Sequence, residues 1–184
     1  MFLFRLKLGS KLYGMRNKRF YFLQIILLLA PCTAIAQWAT ITSTDAEILS
    51  SGPIAYSENI GDYRLEIFKD SENLIKSRFI LKKGLLGLSA SLCPTYQIDS
   101  GTARNNSIDN SPCIFDSGSA EYIIGKVVNN QVKSSVLVAL MEGITLSFRF
   151  KLKNGDYRET SFSLAGSKRS LTAVIGEQVS VSET

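Results

Sequence analysis

Histidine is absent from this chain, so the side chains left for acid–base or metal chemistry are chiefly carboxylates and cysteines. Without histidine the commonest general base and the commonest metal ligand are gone, and with them the Ser-His-Asp, Cys-His and usual zinc arrangements. Asp99, Asp109 and Asp116 are examples of carboxylates that could pair. A glycosidase-like pair, Asp99 with Asp109 or Asp116, needs a fixed separation across a cleft. Loop carboxylates more often face water, and the chain reads as a non-enzyme. Asp109, Asp116 and Glu121 have the right donor type for calcium but lack the dense alternation of a calcium loop. Solvated surface is the better reading, with no metal and no cofactor expected. Lys168 and Arg169 suit either an anion near a helix start or that helix's wet face. Gly84 and Gly87 belong to no nucleotide-binding fingerprint.

Of three cysteines, Cys32 falls in an expected leader, leaving Cys93 and Cys113. An even count in an exported chain favours a disulfide over a redox or metal pair, since there is no Cys-x-x-Cys spacing and no third soft ligand. With 19 residues between the two cysteines, such a bond constrains the unfolded chain by about 3 kcal/mol. It would tether the polar loop 101–112, whose Arg104, Asn105, Asn106 and Asp109 are the candidate partner contacts, because loops on a rigid scaffold carry recognition.

The elements that must position these residues read mostly as strands. Ile144-Thr-Leu-Ser-Phe-Arg-Phe-Lys-Leu152 alternates without a break, which places Ile144, Leu146, Phe148, Phe150 and Leu152 on one buried face. Asn154-Gly155 suits a type I′ turn, and the chain returns through residues 157–164. Further strands are expected over residues 38–43, 63–68, 75–82, 92–98 (an edge or bulge, because of Pro94), 114–119 and 122–128. Residues 44–59 read as polar, with a turn at Ser50-Ser-Gly-Pro53. Gly84-Leu-Leu-Gly-Leu88 reads as an irregular crossing between sheets. Helices are expected over 132–142, ending at Gly143, and over 168–175, capped by Ser167 and stopped by Gly176. Residues 177–184 read as a flexible tail. Several strands with regular turn signals and one or two short helices argue for a β-sandwich or small barrel.

Residues 1–36 resemble an export signal: Arg16, Lys18 and Arg19, an apolar run over 20–30 broken only by Gln24, then Ala34-Ile-Ala36. The run is short for a membrane span, and Pro31 disfavours a lipoprotein signal at Cys32. Met15 is a plausible alternative start to Met1. Six of the 21 basic residues and none of the 16 acidic ones precede Gln37, so residues 37–184 carry a net charge of −1. No basic run with interleaved aromatics remains, which excludes a nucleic-acid surface. Residues 37–176 suit a single domain.

The second half resembles a family. Tyr96-Gln-Ile-Asp-Ser-Gly101, Cys113, Leu140-Met-Glu-Gly143 and Phe162-Ser-Leu-Ala-Gly166, with Trp38 near the expected new terminus, are similar to motifs of the invasion-associated locus B family of bacterial envelope proteins. The early cysteine pair of that family is missing here, and the two-cysteine cluster after the Tyr-x-Ile-Asp run is reduced to Cys113, with Cys93 as its replacement partner. The resemblance implies an immunoglobulin-like β-sandwich, export to the envelope and, in some pathogens, a contribution to entering host cells. It implies no catalytic residues. The expectation is a non-enzymatic, virulence-associated envelope protein in the periplasm or outer envelope. It would bind another envelope or host protein and meet the membrane at most peripherally. The alternative is a periplasmic assembly factor that holds a client by strand pairing at an open sheet edge.

Overall fold

The computed structural model describes residues 38–42 and 50–184; the expected signal peptide and Cys32 lie outside the described residues. Among the described residues eleven strands and two helices follow in the order β1 (Ala39–Thr42), β2 (Ser50–Glu58), β3 (Arg64–Asp70), β4 (Leu74–Ile80), β5 (Thr95–Ile98), β6 (Ile114–Phe115), β7 (Ser119–Lys126), β8 (Gln131–Lys133), α1 (Ser135–Glu142), β9 (Thr145–Lys151), β10 (Tyr157–Ser163), α2 (Ser167–Ile175) and β11 (Ser180–Ser182). The larger sheet has the order β1-β2-β3-β4-β7-β6 and the smaller the order β10-β9-β5, both antiparallel throughout. Neither closes into a barrel, so the architecture is the expected all-β sandwich with two short helices. Its first four strands run as a meander rather than in the Greek-key order of immunoglobulin domains. No helix among the described residues is long and apolar enough to cross a membrane.

Alternation in β9 does what the sequence requires. Leu146, Phe148, Phe150 and the following Leu152 are buried, and Arg149 between them is exposed. Phe79 of β4 stacks on Phe148 with centroids 4.4 Å apart and planes at 11°, joining the two sheets. Phe150, Phe162, Tyr96 and Tyr122 surround this pair with tilted and edge contacts, and Tyr63 stacks on Phe79 with centroids 6.0 Å apart. Three strands cannot cover six. Helix α2 completes the second layer over β1, β2 and β3, adding Leu171, Val174 and Ile175 to the same core. Residues 84–88 do cross between sheets: Leu88 N donates to Ser117 O beside β7, and Ser89 N to Lys151 O of β9. Gly87 is required there, since a Cβ would lie 2.5 Å from Ser117 O.

Several local expectations are corrected. Ser50-Ser-Gly-Pro53 is not a turn but the start of β2, whose register against β3 shifts between Ser50 and Ile54; proline is tolerated at such an irregularity. Ile144 does not face the core and is 77% exposed, because β9 begins one residue later. The β9–β10 turn is not type I′. Gly155 takes a positive φ of 94° while Asn154 does not, and Gly155 N donates to Leu152 O while Leu152 N donates to Asp156 O. That is a three-residue connection with glycine at the left-handed position.

The first helix starts after β8, not at Val132, because the Ser134 hydroxyl accepts the Leu137 N–H at 3.1 Å and makes Ser134 the cap. Ser167 does not cap α2; Gly166, with φ 84°, holds that place, and the Ser167 hydroxyl instead donates to Leu140 O of α1. Residues 177–184, expected as a flexible tail, contain β11, which pairs parallel with β8.

Candidate functional site

The loop between β5 and β6 is held at several points along its length. Asp99 turns the chain with φ 47°, and Gly101 N donates to Ile98 O at 2.9 Å. The chain then doubles back along β5: Tyr96 N donates to Arg104 O at 2.7 Å and Arg104 N to Tyr96 O at 2.8 Å. Further on, Ile108 N donates to Ile123 O, and the buried Ser107 hydroxyl accepts the Ile123 N–H, which ties the loop to β7 of the other sheet. Cys93 and Cys113 are disulfide-bonded, with Cα atoms 6.0 Å apart. The Tyr122 hydroxyl donates to Pro94 O just ahead of β5. Burial raises the Tyr122 pKa well above its ordinary value, with the neighbouring Tyr96 adding to the effect.

Arg104, Asn105 and Asp109 stand exposed on this frame. Asn106 is half-buried and acts as a strut: its carbonyl accepts the Tyr96 hydroxyl at 3.3 Å, and its Nδ2 donates to Asn110 Oδ1 at 3.2 Å. Burial raises the Tyr96 pKa against the opposing charge of Arg104. Arg104 and Thr102 border an open groove of about 200 Å³ shared with Ser135, Val136 and Ala139 of α1.

The carboxylates considered for catalysis each cap a different turn. Asp99 accepts the N–H groups of Ile144 and Thr145 at 3.1 and 2.8 Å. Asp109 accepts the Ser111 hydroxyl at 2.6 Å and its N–H at 3.0 Å, which hold its pKa below the ordinary value. Asp116 accepts the Gly118 and Ser119 N–H groups. Burial opposes ionisation of Asp116, but these bonds outweigh it and its pKa is lowered. Glu121, the third residue considered for calcium, is paired with Arg78 and Lys76 on β4. Among the described residues, no group of three or more His, Cys, Asp or Glu is placed to hold a metal ion.

The largest charge cluster was not anticipated. Across β2, β3, β4 and β7 runs an alternating chain: Glu58–Arg64 (3.2 Å), Arg64–Glu66 (2.8 Å), Glu66–Arg78 (3.9 Å), Arg78–Glu121 (2.8 Å), Glu121–Lys76 (3.1 Å) and Lys76–Asp70 (3.2 Å). Burial opposes the charge on Lys76, yet Glu121 and Asp70 together raise its pKa. The i, i+2 repeat of charges in Arg64-x-Glu66-x-x-x-Asp70 and Lys76-x-Arg78 is the signal that could have found it. Strand register decides which opposite charges meet.

The segments that carry the family resemblance turn out to be joints of the fold. Trp38 Nε1 donates to Ser163 O at 2.9 Å, so the early tryptophan and the Ser-Leu-x-Gly run meet although 125 residues apart. Asp99 of the Tyr-x-Ile-Asp run caps the start of β9 immediately after Gly143.

No family model matches the chain, and no curated protein sequence does. Among solved structures it is similar to the crystal structure of invasion associated protein B from Bartonella henselae. The sequence identity is 11% and the TM-score 0.49, with 78% of this chain and 95% of that chain covered.

Proposed function

We propose that this chain is a non-enzymatic, exported protein of the bacterial cell envelope whose sandwich presents the 101–112 loop to a protein partner. One observation carries the reading. The loop is fixed by a disulfide at its base, by the paired Tyr96–Arg104 backbone bonds and by the Ser107 and Ile108 contacts to Ile123, while Arg104, Asn105 and Asp109 face outward. A loop ordered before binding loses little conformational entropy when a partner docks. The Cys93–Cys113 bond fits an oxidising compartment, which supports export to the periplasm or outer envelope. The motif resemblance supports the finer reading of a host-interaction or virulence role.

Site-specific photocrosslinking in the native host tests the binding reading. A crosslinking residue at Asn105 is expected to give a discrete adduct, and one at Asn154 in the β9–β10 turn is not. Identical patterns, or no adduct at Asn105, would overturn it. Fractionation tests the compartment: a periplasmic species starting at Gln37, heavier by two hydrogens after reduction, is expected. A full-length, reduced species would sink that part.

A further inference from the structure

Sheet edges expose unpaired backbone N–H and C=O groups, and proteins ordinarily block them. Of the four end strands of the two main sheets, three are capped, covered or very short. The outer edge of β10 is capped by Asn59 Nδ2 on Ser161 O and by Trp38 Nε1 on Ser163 O. The edge of β5 is covered by the returning chain at Arg104, and the edge of β7 beyond β6 by Ser107 and Ile108, while β6 itself, the other end of the larger sheet, is only two residues long, which is one way an edge is blunted. β1 ends the larger sheet and has no such cover among the described residues. Its sequence, Ala-Thr-Ile-Thr, contains no charge and no proline and favours extended pairing. Beside it lies a cleft of about 740 Å³ between Ala39 and Thr40 on one side and α2 on the other. Arg169, in the first turn of α2, and Glu177, just beyond its Gly176 cap, line this cleft and form no ion pair among the described residues.

We infer that β1 pairs antiparallel with β1 of a second copy of this chain, making one continuous sheet across a two-fold axis. Charge complementarity selects that occupant. Antiparallel pairing of identical edges places the two-fold perpendicular to the sheet, so both α2 helices stay on the same side and run in opposite directions. Arg169 of each copy then faces Glu177 of the other, and one surface supplies both halves of two ion pairs. This is the self-complementarity a two-fold interface requires. β1 is four residues long and α2 nine, each about 13 Å, so strand and helix are matched in length. Ala165, Gly166 and Ala173 keep the cleft wall low enough for the second helix to approach. The inference is independent of the 101–112 loop.

Sedimentation equilibrium of the full chain is the test, with circular dichroism melting to verify that each variant folds. A dimer is expected. Arg169→Glu and Glu177→Arg should each weaken it by about tenfold, since each turns two attractive contacts repulsive. An equimolar mixture of the two single variants should recover the original dissociation constant through a heterodimer, and so should the double variant. Both residues are exposed, so folding is not at stake. A monomer at all concentrations would overturn the inference, including one whose β1 edge takes up a strand of another protein. A dimer indifferent to these reversals would overturn it as well.

Discussion

Asp99 and Gly143 occupy adjoining space that a larger residue at 143 would claim. A Cβ on residue 143 would lie 2.8 Å from Asp99 Oδ2 and 2.6 Å from Ala139 O. The missing side chain lets the carboxylate reach the Ile144 and Thr145 N–H groups. The end of β5, the end of α1 and the start of β9 are thereby locked together, and the candidate loop departs from this corner. Gly143→Ala should destabilise the domain by about 1–3 kcal/mol, as overpacking typically does. Combined with Asp99→Ala it should cost less than the sum of the two changes, because they act on the same joint. Urea unfolding of the four species measures the coupling; strict additivity would show that the two residues act separately.

Phe148 is buried between Phe79 and Phe162. Phe148→Ala should cost about 3–5 kcal/mol. Phe148→Asp should leave no cooperative transition, because an unpaired charge would be buried in an apolar core. Thermal melts followed by circular dichroism decide this, and unchanged melting of the Asp variant would mean the β9 faces are reversed.

Reduction of Cys93–Cys113 should lower stability by about 3 kcal/mol through the freed loop. The Tyr96–Arg104 and Ser107–Ile123 contacts remain as a second tether. Amide exchange at Arg104 and Ile108 should therefore rise on reduction without reaching unfolded-chain rates. Unfolded-chain rates there, with β9 still protected, would show that the disulfide alone orders the loop.

Asp116 has a lowered pKa because the Gly118 and Ser119 N–H groups, with Arg78 nearby, outweigh its partial burial. A carboxylate depressed in the folded state contributes stability that is complete above its unfolded pKa and fades as pH falls through the folded value. Asp116→Asn should therefore lower stability at neutral pH and flatten the stability profile in the region below the ordinary carboxylate value of 3.8. Parallel unfolding profiles for the two proteins down to acid pH would refute the assignment.

Much of the fold was legible because it rests on local periodicity. β9, β3 and β4 announce themselves by alternation, and the apolar face of α2 by its 3.6-residue spacing. β2 was not legible: Pro53 and its polar neighbours carry a turn signal, and only pairing with β1 on one side and β3 on the other holds them extended. Ser167 has the composition of a cap, yet its hydroxyl went to Leu140 O, a partner 27 residues away. The candidate loop was visible as polar sequence between two cysteines. That Arg104 would pair with Tyr96, and that Asn106 would serve as a strut, depended on how the chain folded back along β5.

By itself, then, the sequence determined the all-β class, the buried face of β9 from Leu146 onward, the cysteine pair and the absence of histidine chemistry. Each follows from residue type or from spacing within about ten residues. Tertiary structure decided which carboxylates became turn caps, how the charges of β2, β3, β4 and β7 alternate, and which sheet edge stayed open. Those outcomes depend on strand register and on chain segments up to 125 residues apart. A one-residue slip in pairing reverses every face of a strand, so no local pattern encodes them.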